Sequence, residues 1–231
     1  MQTTAEMEGG VAKTLAIAHD WKAKGDFRSE LSCLGGALDE LLSIAVMQHD
    51  TPEAGVAYLH GRRADKLLLR YRDLNAILLD AFRQGYETTA VDNGVTVTHL
   101  CWLLGRNTLG DAQLAIACDV EIAKLWPHTK FWDEYHRALA YLIARTPYTP
   151  RLPAKLRGYE KHWVPYLDLI AALTSGRDGE PELAACAESF ARRNRDKRLT
   201  DWKRHDGDGR VPVRWDFRAS SILARWRTGQ S

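Results

Sequence analysis

A chain of 231 residues with 45% hydrophobic and 27% charged residues has the size and composition of a globular domain, which argues against wholesale disorder. Its net charge of +2 argues against a dedicated polyanion binder, so direct nucleic-acid binding is not expected. The charge is uneven: from Cys186 onward there are 12 Lys and Arg against 6 Asp and Glu, while the rest carries 20 against 24.

Taken in chain order, the apolar residues recur at helical steps of three and four. Gly25-Asp26 breaks a first helix from a second, whose stripe is Leu31, Leu34, Leu38, Leu41 and Ala45. Thr51-Pro52-Glu53 reads as an N-cap with proline at the first helical position. Leu67, Tyr71, Leu74, Leu78 and Phe82 form the next stripe. Asp92-Asn93-Gly94 and Gly105-Arg106-Asn107 bracket a short helix containing Leu100 to Leu104, with a small hairpin over Thr88 to Thr98 as the less favoured alternative. Leu114, Cys118, Ile122 and Leu125 follow, closed by Trp126-Pro127-His128, and then Phe131, Tyr135, Leu139 and Leu142. Pro147, Pro150 and Pro153 exclude regular helix from Thr146 to Arg157. Asp201 to Val213 is rich in Gly and Asp and reads as a loop. Trp215, Ala219, Ile222 and Trp226 make a last stripe.

The expected fold is all-α, an irregular multi-helix bundle or helical-hairpin array of about eight to ten helices. Residues 1–231 read as a single helical domain. A subdivision into a 1–145 bundle and a 158–231 layer, joined by the Pro-rich segment 146–157, is the variant of that reading.

Chemistry-bearing patterns are sparse. Cys33, Cys101, Cys118 and Cys186 form no C-x-x-C pair and read as buried free thiols, so no zinc is expected. His19-Asp20, His49-Asp50 and His205-Asp206 are His-Asp dipeptides. A metal-dependent phosphohydrolase of the HD type would need His19, His49, Asp50 and Asp119 to converge on one ion. The simpler reading places these pairs at helix ends. Asp39-Glu40 and Asp133-Glu134 are adjacent carboxylates, which point in different directions on a helix and suit a solvent face. Gly35-Gly36 lies inside a helical pattern and suggests close packing. No nucleophile elbow, P-loop or dinucleotide fingerprint occurs, so no catalytic residue and no cofactor is expected. The first residues lack the regions of a secretory signal, which makes the cytoplasm the expected compartment.

Binding chemistry is better represented. Arg192-Arg193-Asn194-Arg195-Asp196-Lys197-Arg198 is the densest basic run, and Trp202-Lys203-Arg204-His205-Asp206 with Asp208 follows it in the loop. Arg and Trp are common anchors of protein interfaces. Arg192, Arg193, Arg195, Arg198, Trp202, Lys203, Arg204, His205, Asp206 and Asp208 are therefore the candidate partner-binding residues. Trp215 and Trp226 are assigned to the core of the last helix.

The segment Gly158-Tyr159-Glu160-Lys161-His162-Trp163-Val164-Pro165-Tyr166-Leu167, then Arg193-Asn194-Arg195-Asp196-Lys197-Arg198, Trp215-Asp216-Phe217-Arg218 and Ile222-Leu223, covers about 70 residues. It resembles all-helical immunity proteins of bacterial polymorphic-toxin systems, in particular the immunity protein 49 family. Leu100-Cys101-Trp102-Leu103-Leu104-Gly105 and Phe131-Trp132 share that look. The resemblance implies a non-enzymatic protein that binds a cognate protein toxin and blocks its active site or substrate access. The alternatives are the HD-type phosphohydrolase and a helical protein-interaction adaptor. Homo-oligomerisation is left open, and no membrane partner is expected.

Overall fold

The structure, a computed structural model, describes residues 4–85, 95–118, 130–158, 160–195 and 214–228. Among the described residues it contains ten α-helices and no strand, an all-α multi-helix bundle. Helix α1 (Thr4–Ala23) and helix α2 (Phe27–Gln48) form an antiparallel hairpin. Its turn follows from two residues: Gly25 adopts φ +71°, and Asp26 caps α2 by accepting from Ser29 N at 3.0 Å. Helix α3 (Pro52–Gly61) begins as expected, with Thr51 Oγ1 accepting from Ala54 N at 3.3 Å. Helix α4 (Ala64–Arg83) buries Leu68, Tyr71, Leu74 and Leu78. A Cβ on Gly35 would sit 3.4 Å from the Tyr71 ring, at ordinary contact distance, so α4 lies close to α2 here without the approach demanding a glycine.

Helix α5 (Val95–Leu103) and helix α6 (Asn107–Ala117) form a second hairpin. Residues 95–98 are helical, so the hairpin alternative fails for its described part. The reason is burial: Val97, Leu100, Cys101 and Leu104 all reach the core at helical spacing. Helix α7 (Lys130–Ala144), a 3-10 turn (Glu160–His162), helix α8 (Val164–Thr174), helix α9 (Glu180–Arg195) and helix α10 (Phe217–Arg227) complete the chain.

The buried apolar residues make two clusters. The first gathers α1 to α5 with Trp215 and Phe217. The second gathers Trp102, Leu114, α7, α8, Cys186, Ala219 and Ile222. Helix α5 serves both, giving Leu100 to the first and Trp102 to the second. The Pro-rich segment lies within the second cluster, where Tyr148 is buried.

Three placements differ from the sequence reading. Trp215 is buried but precedes α10, which starts at Phe217 under the cap of Asp216. Its indole N–H instead donates to Ala45 O at 3.2 Å, and its ring lies on Gly55. Cys118 is exposed and Cys33 half-buried, so only Cys101 and Cys186 are fully buried thiols. Glu134, read as a solvent-face carboxylate, is only 6% exposed because the Pro-rich segment covers it with its own donors.

Gly110 shows how tightly α5 and α6 approach. A Cβ there would meet the Trp102 ring at 2.6 Å and Cys101 Cβ at 3.1 Å. Trp102 cannot swing away freely, because its Nε1 donates to Asp111 Oδ1 at 3.0 Å. Asp111 is itself held by Arg225 of α10 through two bonds of 2.9 and 2.8 Å. Gly110→Ala is expected to destabilise by about 1–3 kcal/mol, read as a lower urea midpoint at unchanged slope. A neutral substitution would show that the contact is slack.

Candidate partner-binding surface

The candidate residues start at the end of α9. That helix is seated by buried Cys186 and Phe190 and by Ser189, whose Oγ donates to His162 O at 3.0 Å. Arg192, Arg193 and Arg195 belong to its last turn. Arg192 is exposed and pairs with Glu188 at 2.6 Å, one turn back on the same helix. Such an exposed pair contributes about 1 kcal/mol or less, so the guanidinium is cheaply redirected to a partner. Arg198, Trp202, Lys203, Arg204, His205, Asp206 and Asp208 lie outside the described residues.

The chain is described again at Arg214, where it is gripped on the first cluster. Arg214 N donates to Val46 O at 2.8 Å, its guanidinium pairs with Asp50, and Trp215 follows onto Gly55. Beside this anchor, at the end of α2 and on α3, stands a set of half-exposed polar groups. His49 lies against Tyr58 with ring centroids 5.0 Å apart. Tyr58 donates to Glu8 at 3.2 Å, and Arg62 both pairs with Glu8 and sits 5.4 Å over the Tyr58 ring. Burial, reinforced by Glu8, pushes the Tyr58 phenol up to about 12. It therefore stays a neutral donor and offers no nucleophile at neutral pH.

The two described His-Asp dipeptides, His19-Asp20 and His49-Asp50, do not come together. The α1–α2 register sets Thr14 beside Gly36 and Gly10 beside Glu40. His19 and His49 are then about 18 residues apart along the hairpin axis, roughly 27 Å at the helical rise. His19 and Asp20 are exposed on α1, while His49 ends α2. Asp119 and His205-Asp206 lie outside the described residues. Among the described residues no three His, Cys, Asp or Glu side chains are grouped as metal ligands. No described helix is long and apolar enough to cross a membrane.

Sequence reasoning missed the buried polar groups. His99 is fully buried, with Nδ1 2.6 Å from Ser221 Oγ and Nε2 3.0 Å from Tyr135 OH. Ser221 directs its own proton to Arg218 O at 2.8 Å. Ser221 therefore accepts from Nδ1–H, and Nε2 accepts from the tyrosine. Burial, helped by nearby Arg218, pushes the imidazole down to about 3. Burial likewise pushes the Cys101 thiol up to about 12. These groups sit inside the core and tie α5, α7 and α10 together, away from any exposed partner. Glu30 is a buried carboxylate, held by Arg70 through two bonds of 2.7 Å that join α2 to α4. No local signal marks these pairings, since the partners lie 36 to 122 residues apart.

Compared with known proteins, the chain matches no family model, no curated protein and no solved structure.

Proposed function

We propose that the protein is a cytoplasmic, non-enzymatic binder of the immunity type, which occludes the active site or substrate access of a cognate protein toxin. One observation carries the reading beyond the sequence resemblance. The stretch holding the candidate residues is tethered at both ends to packed elements: α9 on one side, Arg214 and Trp215 on the other. Fixed ends shorten the range of conformations that a binding segment must give up, which favours affinity. His99 and Tyr58, two groups whose titration burial shifts, are engaged inside the protein's own structure. The basic excess after Cys186 suits an acidic partner surface and would raise the association rate.

The test is direct. Trp202→Ala combined with Arg204→Glu is expected to weaken binding to the cognate toxin, sought among the products of the adjacent genes, by at least tenfold, with an unchanged helical circular-dichroism spectrum. Co-expression should lose protection of the host in parallel. Full affinity in the double variant would place the binding surface elsewhere. Absence of any protection by the wild-type protein would end the immunity reading.

A further inference from the structure

Helix α4 has two faces of different character. The inner one, with Leu68, Tyr71, Leu74 and Leu78, is buried. On the outer one, Lys66, Leu69, Asp73, Ala76, Ile77 and Asp80 follow steps of three and four, and all are exposed. Leu69 is 39% exposed and Ile77 44%, the highest value among the large hydrophobic residues described. Isolated exposed apolar residues are ordinary, but two on one helical line are a seam.

The order of charges along that seam selects its occupant. Lys66 stands at the N-terminal end, Asp80 at the C-terminal end, and Leu69 and Ile77 lie symmetrically about Asp73. We propose that α4 is a self-association surface, pairing antiparallel with α4 of a second copy about a two-fold axis at residue 73. That axis sets Leu69 against Ile77 of the second copy and Lys66 against its Asp80, with each contact made twice. Such self-complementarity is what a two-fold interface requires. The residue at the axis is Asp73, whose charge is offset within its own chain by Arg72 at 2.7 Å. Among the described residues Asp80 accepts one exposed bond, from Gln84 at 2.9 Å, which a charged partner readily displaces, so its carboxylate can turn to Lys66 of the second copy. A parallel arrangement would instead oppose like charges at both ends.

One helix face covers less than the roughly 1,200 Å² that marks a stable complex, so the dimer is weak, with a Kd on the order of 0.1 mM. Sedimentation equilibrium of the full chain should show monomer near about 10 µM and a rising dimer fraction toward about 1 mM. Ile77→Arg is expected to weaken association at least tenfold. Lys66→Asp alone, and Asp80→Lys alone, should each weaken it roughly three- to tenfold, because two pairs are lost per dimer. The double variant Lys66→Asp with Asp80→Lys restores the pairing in reversed polarity and should recover wild-type association to within about twofold. All three substituted positions are exposed, and circular dichroism verifies that the variants stay folded. A wild-type protein that remains monomeric at 1 mM, an Ile77→Arg variant that associates unchanged, or a double variant no better than the singles would each overturn the proposal.

Discussion

Glu134→Ala is expected to lower the unfolding free energy by about 3 kcal/mol, the lower end of the range for breaking a buried ion pair. The carboxylate accepts four hydrogen bonds. Arg137 supplies two, at 2.6 and 2.8 Å, Tyr148 OH one at 2.7 Å, and Arg151 N one at 2.6 Å. Removing it strands the buried Tyr148 hydroxyl and an amide of the Pro-rich segment without their acceptor. The loss stays at the low end because Arg137 is 25% exposed and can rehydrate. Glu134→Gln should cost about half as much, since one amide oxygen can still serve Tyr148 and Arg151 N. Burial alone would push the Glu134 carboxyl up, but the bonds from Arg137, Tyr148 and Arg151 N outweigh it and hold it below the usual range. Its stabilisation is therefore present above the unfolded value of about 4.3 and fades as pH falls through the folded one. Urea titrations of the wild type and of Glu134→Ala should differ fully at pH 7 and by about half as much at acid pH, where the protonated carboxyl keeps one oxygen for Tyr148 and Arg151 N. A difference under about 1 kcal/mol at pH 7 would show that the clamp is not formed in solution.

His99 gives the larger acid effect, and it begins nearer neutrality. An unfolded histidine takes up a proton near pH 6.5, whereas the folded imidazole resists protonation down to about 3. Below pH 6.5 the unfolded chain thus binds a proton that the native one refuses, and stability falls by up to about 1.4 kcal/mol per pH unit. Between pH 7 and pH 5 this amounts to about 2 kcal/mol. Denaturant unfolding at both pH values checks it, with His99→Gln as the reference, because glutamine cannot titrate. The wild type should lose about 2 kcal/mol more than the variant over that interval. Equal losses, or a His99 ring seen by NMR to become charged near pH 6, would refute the assignment.

The sequence made the helices legible because packing repeats every three to four residues. The stripes through Leu34 and Leu38, Tyr71 and Leu74, and Tyr135 and Leu139 are buried as expected. The break at Gly25-Asp26 and the cap at Thr51 were equally readable, since both signals are local, and the structure adds that Asp26 caps α2. What escaped was set by tertiary contacts. Adjacent Asp133 and Glu134 look alike in sequence, yet the former is exposed and the latter buried. The difference comes from Tyr148 and Arg151, on a segment whose prolines say only that it is not helical. Trp215 fits the α10 period by position, but the cap at Asp216 turns the chain and sends its ring to α3. The candidate surface was legible as composition, a basic and tryptophan-bearing stretch. Its anchoring by Arg214 and Trp215 depends on contacts made about 170 residues away.

The route of the chain into α10 bears on how the molecule comes apart. Within a few residues it surrenders Trp215 and Phe217 to one apolar cluster and Ala219 and Ile222 to the other. Peeling that helix off would open a wound in both halves at once, so neither half is spared while the other melts. Loss of the last helix and global denaturation should therefore coincide as one event, with the C-terminal segment acting as a rivet through two plates.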